Sequence, residues 1–393
     1  MLRHIATLLW NTRRAGVLLA AQIFLAFVAL FAVISFAGYM LSGYVEPLGF
    51  RVANTYIVDV QAPDDLPQEA YPALYQRLET ELESLHDVRE ASSAGFVTPF
   101  GQSHMGYGNN ETGVFLFTQL FVADADLARV MGPRLLRGRW YTDEDTIGGR
   151  VPMVVNAKFV EDNFPGGDLV DTTFLMMGKE TTVTGVVEHF KYRGEFEAEE
   201  PLAFFMTNPY DDPANFPYTS LLIHTAPDAP LTTEQDIFER VADVTGSRNS
   251  VVSALEPIRE RTSRSSWVPL VTLFLICAFL VANVALGLFG ILINAIARRR
   301  GEIGLRKALG ATGANVTAQL TSEVTLIAVV GLLLGAAVAA QVPILGLIEL
   351  EARYFWWGGL AAAGLILLLV VACALIPSGQ AARIHPAVAL REE

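Results

Sequence analysis

Four stretches of this chain carry no charged residue: Ala15 to Val45, Ser265 to Ala297, Val324 to Ile348 and Tyr354 to Ala382. Each is long enough to cross a bilayer as a helix, which takes about 20 apolar residues. The 33 uncharged positions before Arg298 would make a helix of roughly 50 Å at 1.5 Å per residue. The first two spans are therefore expected to run beyond the bilayer as stalks. The first is too long for the roughly 7–15-residue core of a cleaved signal peptide, and Arg13 and Arg14 before it favour an anchor. The predicted order is an N-terminal segment 1–14, helix one 15–45, a large domain 46–264 and helix two 265–297. A segment 298–323, helix three 324–348, a turn 349–353, helix four 354–376 and a tail 377–393 complete the chain.

Between the first two spans the pattern changes to α+β. Thr55 to Val60 alternates as a strand, and Leu74, Leu78, Leu82 and Leu85 recur at helical spacing behind Pro67 and Pro72. Val114 to Val122, Val151 to Val155 and Thr181 to Val187 read as strands, with a Pro165-Gly166-Gly167-Asp168 turn between the last two. Ser220 to His224, a helix from Thr232 to Thr245 and a strand near Val251 close the domain. Strand, helix, strand at both ends, with a β-rich insert of roughly 90 residues between, predicts a split ferredoxin-like lobe carrying a second, β-rich lobe.

Charge sets an orientation. Lys and Arg near span ends are retained in the cytoplasm, and they flank the first span at its start, fill 298–307 and follow the fourth span. Both termini and the 298–323 segment are thus expected inside the cell, with the large domain outside. Residues 44–266 carry a net charge of −18 within a chain of −13, so nucleic acid is excluded as a partner. Cys277 and Cys373 both fall in predicted spans. They leave the large domain without a disulfide, and burial of its core must hold it together.

The chain carries no phosphate-binding Gly-Lys-Ser/Thr loop, no His-Glu-x-x-His, no Gly-x-Ser-x-Gly and no dinucleotide fingerprint. Neither a catalytic site nor a bound cofactor is expected. Gln102-Ser103-His104-Met105 is a poor metal site. The acidic runs Asp143-Glu144-Asp145 and Glu195, Glu197, Glu199, Glu200 read as solvated surface. The spans hold no mid-membrane charge, and the amides of Gln22, Asn283 and Asn294 read as bonds between helices. With no polar route, a secondary transporter is disfavoured.

The segment after span two is different. Residues 298 to 312, rich in Arg, form a short helix with Leu305, Ala308 and Leu309 on one side and Arg299, Glu302 and Arg306 on another. Glu302 and Arg306 are four apart with the acid first, and Gly310 stops the helix. By itself this pattern suits either a lipid-gripping anchor or a docking element.

Arg298-Arg299-Arg300-Gly301-Glu302-Ile303-Gly304-Leu305-Arg306-Lys307-Ala308-Leu309-Gly310-Ala311 closely resembles the signature of the MacB/FtsX-type ABC transporter permeases, the type VII or mechanotransmission class. Arg13-Arg14, the run Leu135 to Asp145, Val151 to Asn156, Phe164-Pro165-Gly166, Val183 to Val187, Glu323 and the tail Ala381 to Arg391 resemble other parts of the same family, in order. The resemblance implies a bacterial inner-membrane permease that is not itself an enzyme. It implies a separate ABC ATPase dimer that binds the ATP, a second permease (identical or sibling), contact with membrane lipid, and a periplasmic adaptor as a further component. Arg299, Arg300, Glu302, Arg306 and Lys307, with apolar Leu305 and Leu309, are then expected to dock the ATPase. Ala314 to Thr317 and Ser378-Gly379-Gln380 lack basic residues common in the family, which leaves room for a specialised partner. Efflux of peptides, antibiotics or other amphiphiles is the expected role. Cell-wall hydrolase regulation, lipoprotein extraction and, outside the family, a four-span receptor are the alternatives.

Overall fold

In a bilayer the backbone must satisfy its own hydrogen bonds, so uncharged stretches of this length become helices. The computed structural model describes residues 13–63, 66–95, 97–101, 103, 105–109, 116–147, 149–176, 178–206, 218–298, 300–345 and 351–382. The chain begins with α1 (Arg13–Val45), β1 (Thr55–Asp59), α2 (Tyr71–Glu83), β2 (Val88–Ala94), β3 (Gly106–Asn109) and β4 (Leu116–Val122). It continues through α3 (Leu127–Met131), β5 (Leu135–Gly138), β6 (Val151–Asn156), α4 (Ala157–Asn163), β7 (Thr173–Met176), β8 (Lys179–Val187) and β9 (Leu202–Phe205). Next come β10 (Ser220–Thr225), α5 (Thr233–Thr245) and β11 (Val251–Ala254). Helices complete it: α6 (Leu255–Arg298), α7 (Arg300–Ala308), α8 (Gly313–Ala339), α9 (Gln341–Ile344) and α10 (Ala352–Ala382). Contacts divide the chain into an α/β unit, Gly43–Ser266, and a helical unit, Met1–Ser42 with Trp267–Glu393.

The first sheet of the α/β unit has the order β11-β1-β10-β2, antiparallel throughout. Val58, Leu221 and Ile223 face α2 and α5, where Tyr75, Leu78, Leu82, Ile237 and Val241 are buried against them. Ile57 and Leu222 are offset by one residue and join a second core with Phe121, Phe190 and Phe204, as the two-residue side-chain period of a strand requires. Two interleaved strand-helix-strand units in this order form a ferredoxin-like layer.

One strand assignment needs correcting. The strand that closes the first strand-helix-strand unit is β2, paired with β10, whereas Leu116–Val122 lies in the second sheet. Val-Arg-Glu-Ala-Ser-Ser-Ala has no large apolar alternation, yet Ala91 and Ser93 are buried towards α2 and Ser92 and Ala94 towards the second sheet, where only small side chains fit. The second sheet is mixed, in the order β3-β4-β9-β6-β8-β5 with β7 on β8. Strands β4 and β9 run parallel, as do β6 and β8. A bridge between Ala94 and Ala123 joins the two sheets.

In the helical unit the buried residues recur at helical spacing, Leu19, Ile23 and Phe27 on α1 and Ala362, Ile366, Val370 and Ala374 on α10. Among the described residues four helices are long and apolar enough to cross a membrane. Their ends differ from the uncharged stretches. Helix α6 starts at Leu255, ten residues before Ser265, and α8 starts at Gly313 rather than Val324. Polar sequence such as Arg-Glu-Arg-Thr-Ser-Arg can be helical outside hydrocarbon, so charge marks where the apolar environment ends, not where the helix does. At 44 residues, α6 is about 66 Å long, against a hydrocarbon core of about 30 Å.

Candidate functional site

The segment after α6 is a short helix braced on one side. Ile303 on α7 is buried with Val316 and Leu320 of α8, and Ile296 of α6 packs beside them. Arg306 donates to Glu302 Oε1 at 2.5 Å and to Gln319 Oε1 at 2.7 Å, and Gln319 Nε2 donates to Glu323 Oε1 at 3.2 Å. Gly310, at φ +98°, ends the helix. The amides of Leu309, Gly310 and Ala311 close onto the carbonyls of Leu305, Lys307 and Arg306. Thr312 then caps α8, its Oγ1 accepting from the Asn315 amide. These contacts hold α7 against the first turns of α8.

The same bracing turns the other side outward. Leu305 is 51% exposed and Leu309 80%. Lys307 is half-buried beside them, while Arg300 opens the helix. Arg299 lies outside the described residues, as do Gln102 and His104 of the weak metal motif and the tail from 383. The expected docking residues therefore play different parts. Glu302 and Arg306 are engaged within the chain, and Leu305 and Leu309 are exposed. Ile303 and Gln319, which the sequence did not single out, are the positioning residues. Their partners lie across a turn on another helix, so no local spacing announces them.

Within the helical unit Asn283 donates to Phe279 O and Asn294 to Gly290 O, each at 3.0 Å on its own helix. The expectation that these amides bond between helices is corrected: each turns back onto its own helix, Asn283 half-buried and Asn294 exposed. Gln22 alone meets another helix, its side chain lying against Gly287.

The second acidic run also departs from expectation. In the connection between β8 and β9, residues 188–201, Glu197 is exposed as expected, but Glu195, Glu199 and Glu200 are engaged in buried or half-buried polar contacts. Asn156 is wholly buried and uses both ends of its amide. Its Oδ1 accepts from Phe159 N and Leu202 N, and its Nδ2 donates to Glu199 Oε1 and Glu200 O. Glu199 in turn meets His189 Nδ1 at 2.7 Å and accepts from Phe190 N. Glu200 pairs with Arg193 at 2.8 Å.

Lys191, with its side chain 1% exposed, donates to Gly43 O at 2.9 Å and Glu195 O at 3.4 Å and lies 3.3 Å from Glu46 Oε2. Glu195 binds Arg259 Nε at 2.8 Å, with Nη2 on the same oxygen, and accepts from Ser263 Oγ at 3.0 Å. The phenyl ring of Phe196 stacks on Tyr44 at 5.3 Å. The first acidic run is partly engaged too, since Asp145 closes a capping box with Thr142 and pairs with Arg139, which pulls its carboxyl below the usual range.

One carboxyl pair sits where the two sheets meet. Asp124 accepts from Ser92 Oγ at 2.6 Å and Ser93 N at 2.5 Å, and Glu79 of α2 lies beside it with Ser93 Oγ on its own Oε1. Burial, and then the Asp124 charge, pushes the Glu79 carboxyl up to about 9. Glu79 therefore keeps its proton at neutral pH and can share it with Asp124. His224 is buried and its Nδ1 meets the Asn54 carbonyl at 3.1 Å; desolvation lowers its pKa. Among the described residues no cluster of His, Cys, Asp or Glu has the arrangement of a metal site.

Residues 17–252 match the family described as the MacB-like periplasmic core domain, and residues 272–386 match the FtsX-like permease C-terminal family. A curated relative, the uncharacterized ABC transporter permease YknZ of Bacillus subtilis (strain 168), is 22% identical over 260 residues. That alignment covers 65% of this chain and 65% of the relative's length. Among solved structures, the extracellular domain of YknZ from Gram-positive bacteria covers 51% of this chain and all of its own, at 16% identity and a TM-score of 0.38. The periplasmic region of MacB from Actinobacillus actinomycetemcomitans covers 56% of this chain and 97% of its own, at 14% identity and a TM-score of 0.39. The first family match spans more than half the chain and the second lies C-terminal to it. With a MacB-like periplasmic core domain match over 17–252 and an FtsX-like permease match over 272–386, this chain belongs to the MacB/FtsX-type ABC transporter permeases.

Proposed function

We propose that this chain is the permease subunit through which a separate ABC ATPase moves the α/β unit, and that the machine expels peptides, antibiotics or other amphiphiles from the periplasm or outer leaflet. In this reading α7 and both termini lie in the cytoplasm of a bacterial inner membrane. The ATPase dimer docks on α7, and a second permease, identical or sibling, completes the pair. An adaptor joins on the periplasmic side. The chain itself catalyses no reaction and holds no cofactor, ATP being bound by its partner.

The observation that carries this reading is the two-sided character of α7. An anchor for lipid headgroups needs only charge, but Ile303 and the Glu302–Arg306–Gln319 brace hold this helix in one orientation. That orientation leaves Leu305 and Leu309 exposed at a basic segment. Apolar anchors ringed by charge are the usual centre of a protein interface. The lack of charge within the four spans supports handling of substrate outside the membrane.

The test is ATPase stimulation in proteoliposomes holding the full chain and its ATPase. Leu305→Ala with Leu309→Ala is expected to insert and fold normally but to lose stimulation. An unchanged stimulated rate would overturn the docking assignment. Efflux separates from hydrolase regulation or lipoprotein extraction by whether deletion of the gene raises cellular retention of amphiphiles or alters cell-wall turnover or lipoprotein sorting.

A further inference from the structure

The connection 188–201 holds two helix ends at once. Gly43 to Glu46 close α1, and Leu255 to Ser266 open α6; both stretches belong to the α/β unit. Lys191 and Phe196 take the first, and Glu195 takes the second. The contacts are built rather than incidental. A buried ammonium is costly unless its donors are matched, and Lys191 has three acceptors for three N–H groups. Glu195 is 7% exposed and both its oxygens are occupied.

Backbone approach adds a third tie. A Cβ on Gly43 would stand 2.8 Å from the Glu195 carbonyl, so α1 passes against the loop where only glycine fits without displacement. The far end of the loop is pinned to β6 through Asn156 and Glu199. Hollows of about 740 and 210 Å³ flank Glu195. The connection thus crosses as a strut between two spaces, not as part of a filled wall.

We propose that residues 188–201 are the joint that ties the end of α1, the start of α6 and the β-rich lobe into one body, with Lys191 and Glu195 as its fixed points. Displacement carried by either helix then reaches the lobe through these two side chains. Lys191 and Glu195 act as positioning residues: they touch no substrate in this account, and they set what moves together. The proposal rests on the reading of the chain as an ATPase-driven permease.

The experiment uses the full chain with its ATPase in nanodiscs, in a Cys277→Ala, Cys373→Ala background. Spin labels go on Ile147→Cys, 76% exposed just before β6 in the β-rich lobe, and on Ile344→Cys, exposed in the helical unit. Pulsed distance measurement should register a shift on adding ATP and vanadate. Lys191→Met, Glu195→Gln and Gly43→Ala are each expected to lose that shift while keeping wild-type ATPase stimulation and a cooperative melting transition, at a lower temperature because each breaks or crowds a buried contact. Arg259→Lys, which leaves Glu195 a donor, should retain it. If Lys191→Met does not fold, Gly43→Ala and Glu195→Gln decide. An undiminished shift in the folded variants overturns the joint. Absence of stimulation and shift in the unsubstituted background overturns the permease reading instead, and the joint with it.

Discussion

The two units hide their apolar side chains by different means. In the α/β unit large rings interlock: Phe190 meets Phe204 edge-on at 4.7 Å, and Phe121 and Trp140 complete the cluster. The helical unit relies on close backbone approach. Gly331 packs on the Ala20 carbonyl, Gly335 on Phe27 and Gly358 on Ser35, as small residues do between membrane helices. The outer faces of its helices leave Leu286, Leu333, Trp356 and Leu360 more than 60% exposed. One unit carries its stabilising burial inside itself, whereas the other relies on lipid or further helices to cover its surface.

That contrast can be broken most forcefully from the α/β side. Truncating Phe204→Ala opens the centre of a wholly buried cluster, and a loss of about 3–5 kcal/mol is expected. A denaturant melt of the purified chain checks it; a loss below about 1 kcal/mol would mean that the ring cluster is not the core. The matching substitution in the helical unit is Gly358→Ala. Its new Cβ would stand 2.9 Å from the Ser35 amide, so a smaller loss of about 1–3 kcal/mol is expected from overpacking. Thermal inactivation in detergent measures it, and an unchanged profile would deny that α1 and α10 touch there.

A third prediction concerns pH. Folded Glu79 holds its proton to about 9, against 4.5 for the free side chain. Between those values the folded state binds more protons than the unfolded one, so stability falls as pH rises through the window. Replacing the acid by Glu79→Gln removes this term. Melting temperatures of the variant should gain on the parent from pH 5 to pH 9, and parallel profiles would show that the pair is not buried as described.

The smallest effect on stability is expected at α7. Leu309→Ala should change stability by no more than about 0.5 kcal/mol because the side chain is exposed. Ile303→Ala should cost more, because its partners Val316 and Leu320 are buried with it. Limited proteolysis of the 298–320 segment separates them: Ile303→Ala should accelerate cleavage and Leu309→Ala should not. Equal cleavage would remove the distinction between the braced and open sides of the helix.

Much of this was legible in the sequence, for reasons that differ by region. Four uncharged stretches and the Glu302–Arg306 spacing are local signals, and a local signal needs only its own residues. Strand β2 was hidden because Ser92 and Ser93 are buried by partners outside the strand, Asp124 beside the second sheet and Glu79 on α2, not by apolar alternation. The joint was hidden more completely. Glu195 and Arg259 are 64 residues apart, and an acidic run reads as solvated until the fold supplies its partners. Ile303 was visible as an apolar residue, but the brace that fixes its side of α7 comes from Gln319 on the next helix.

The most direct test of the central claim is a photo-crosslinking amino acid at Leu309, introduced into the full chain in its native cell. The account predicts an adduct with an ABC ATPase, identified by mass spectrometry, and no such adduct from the same group at Ile303. Crosslinks from Leu309 to lipid alone would contradict it and would leave the segment as a membrane anchor.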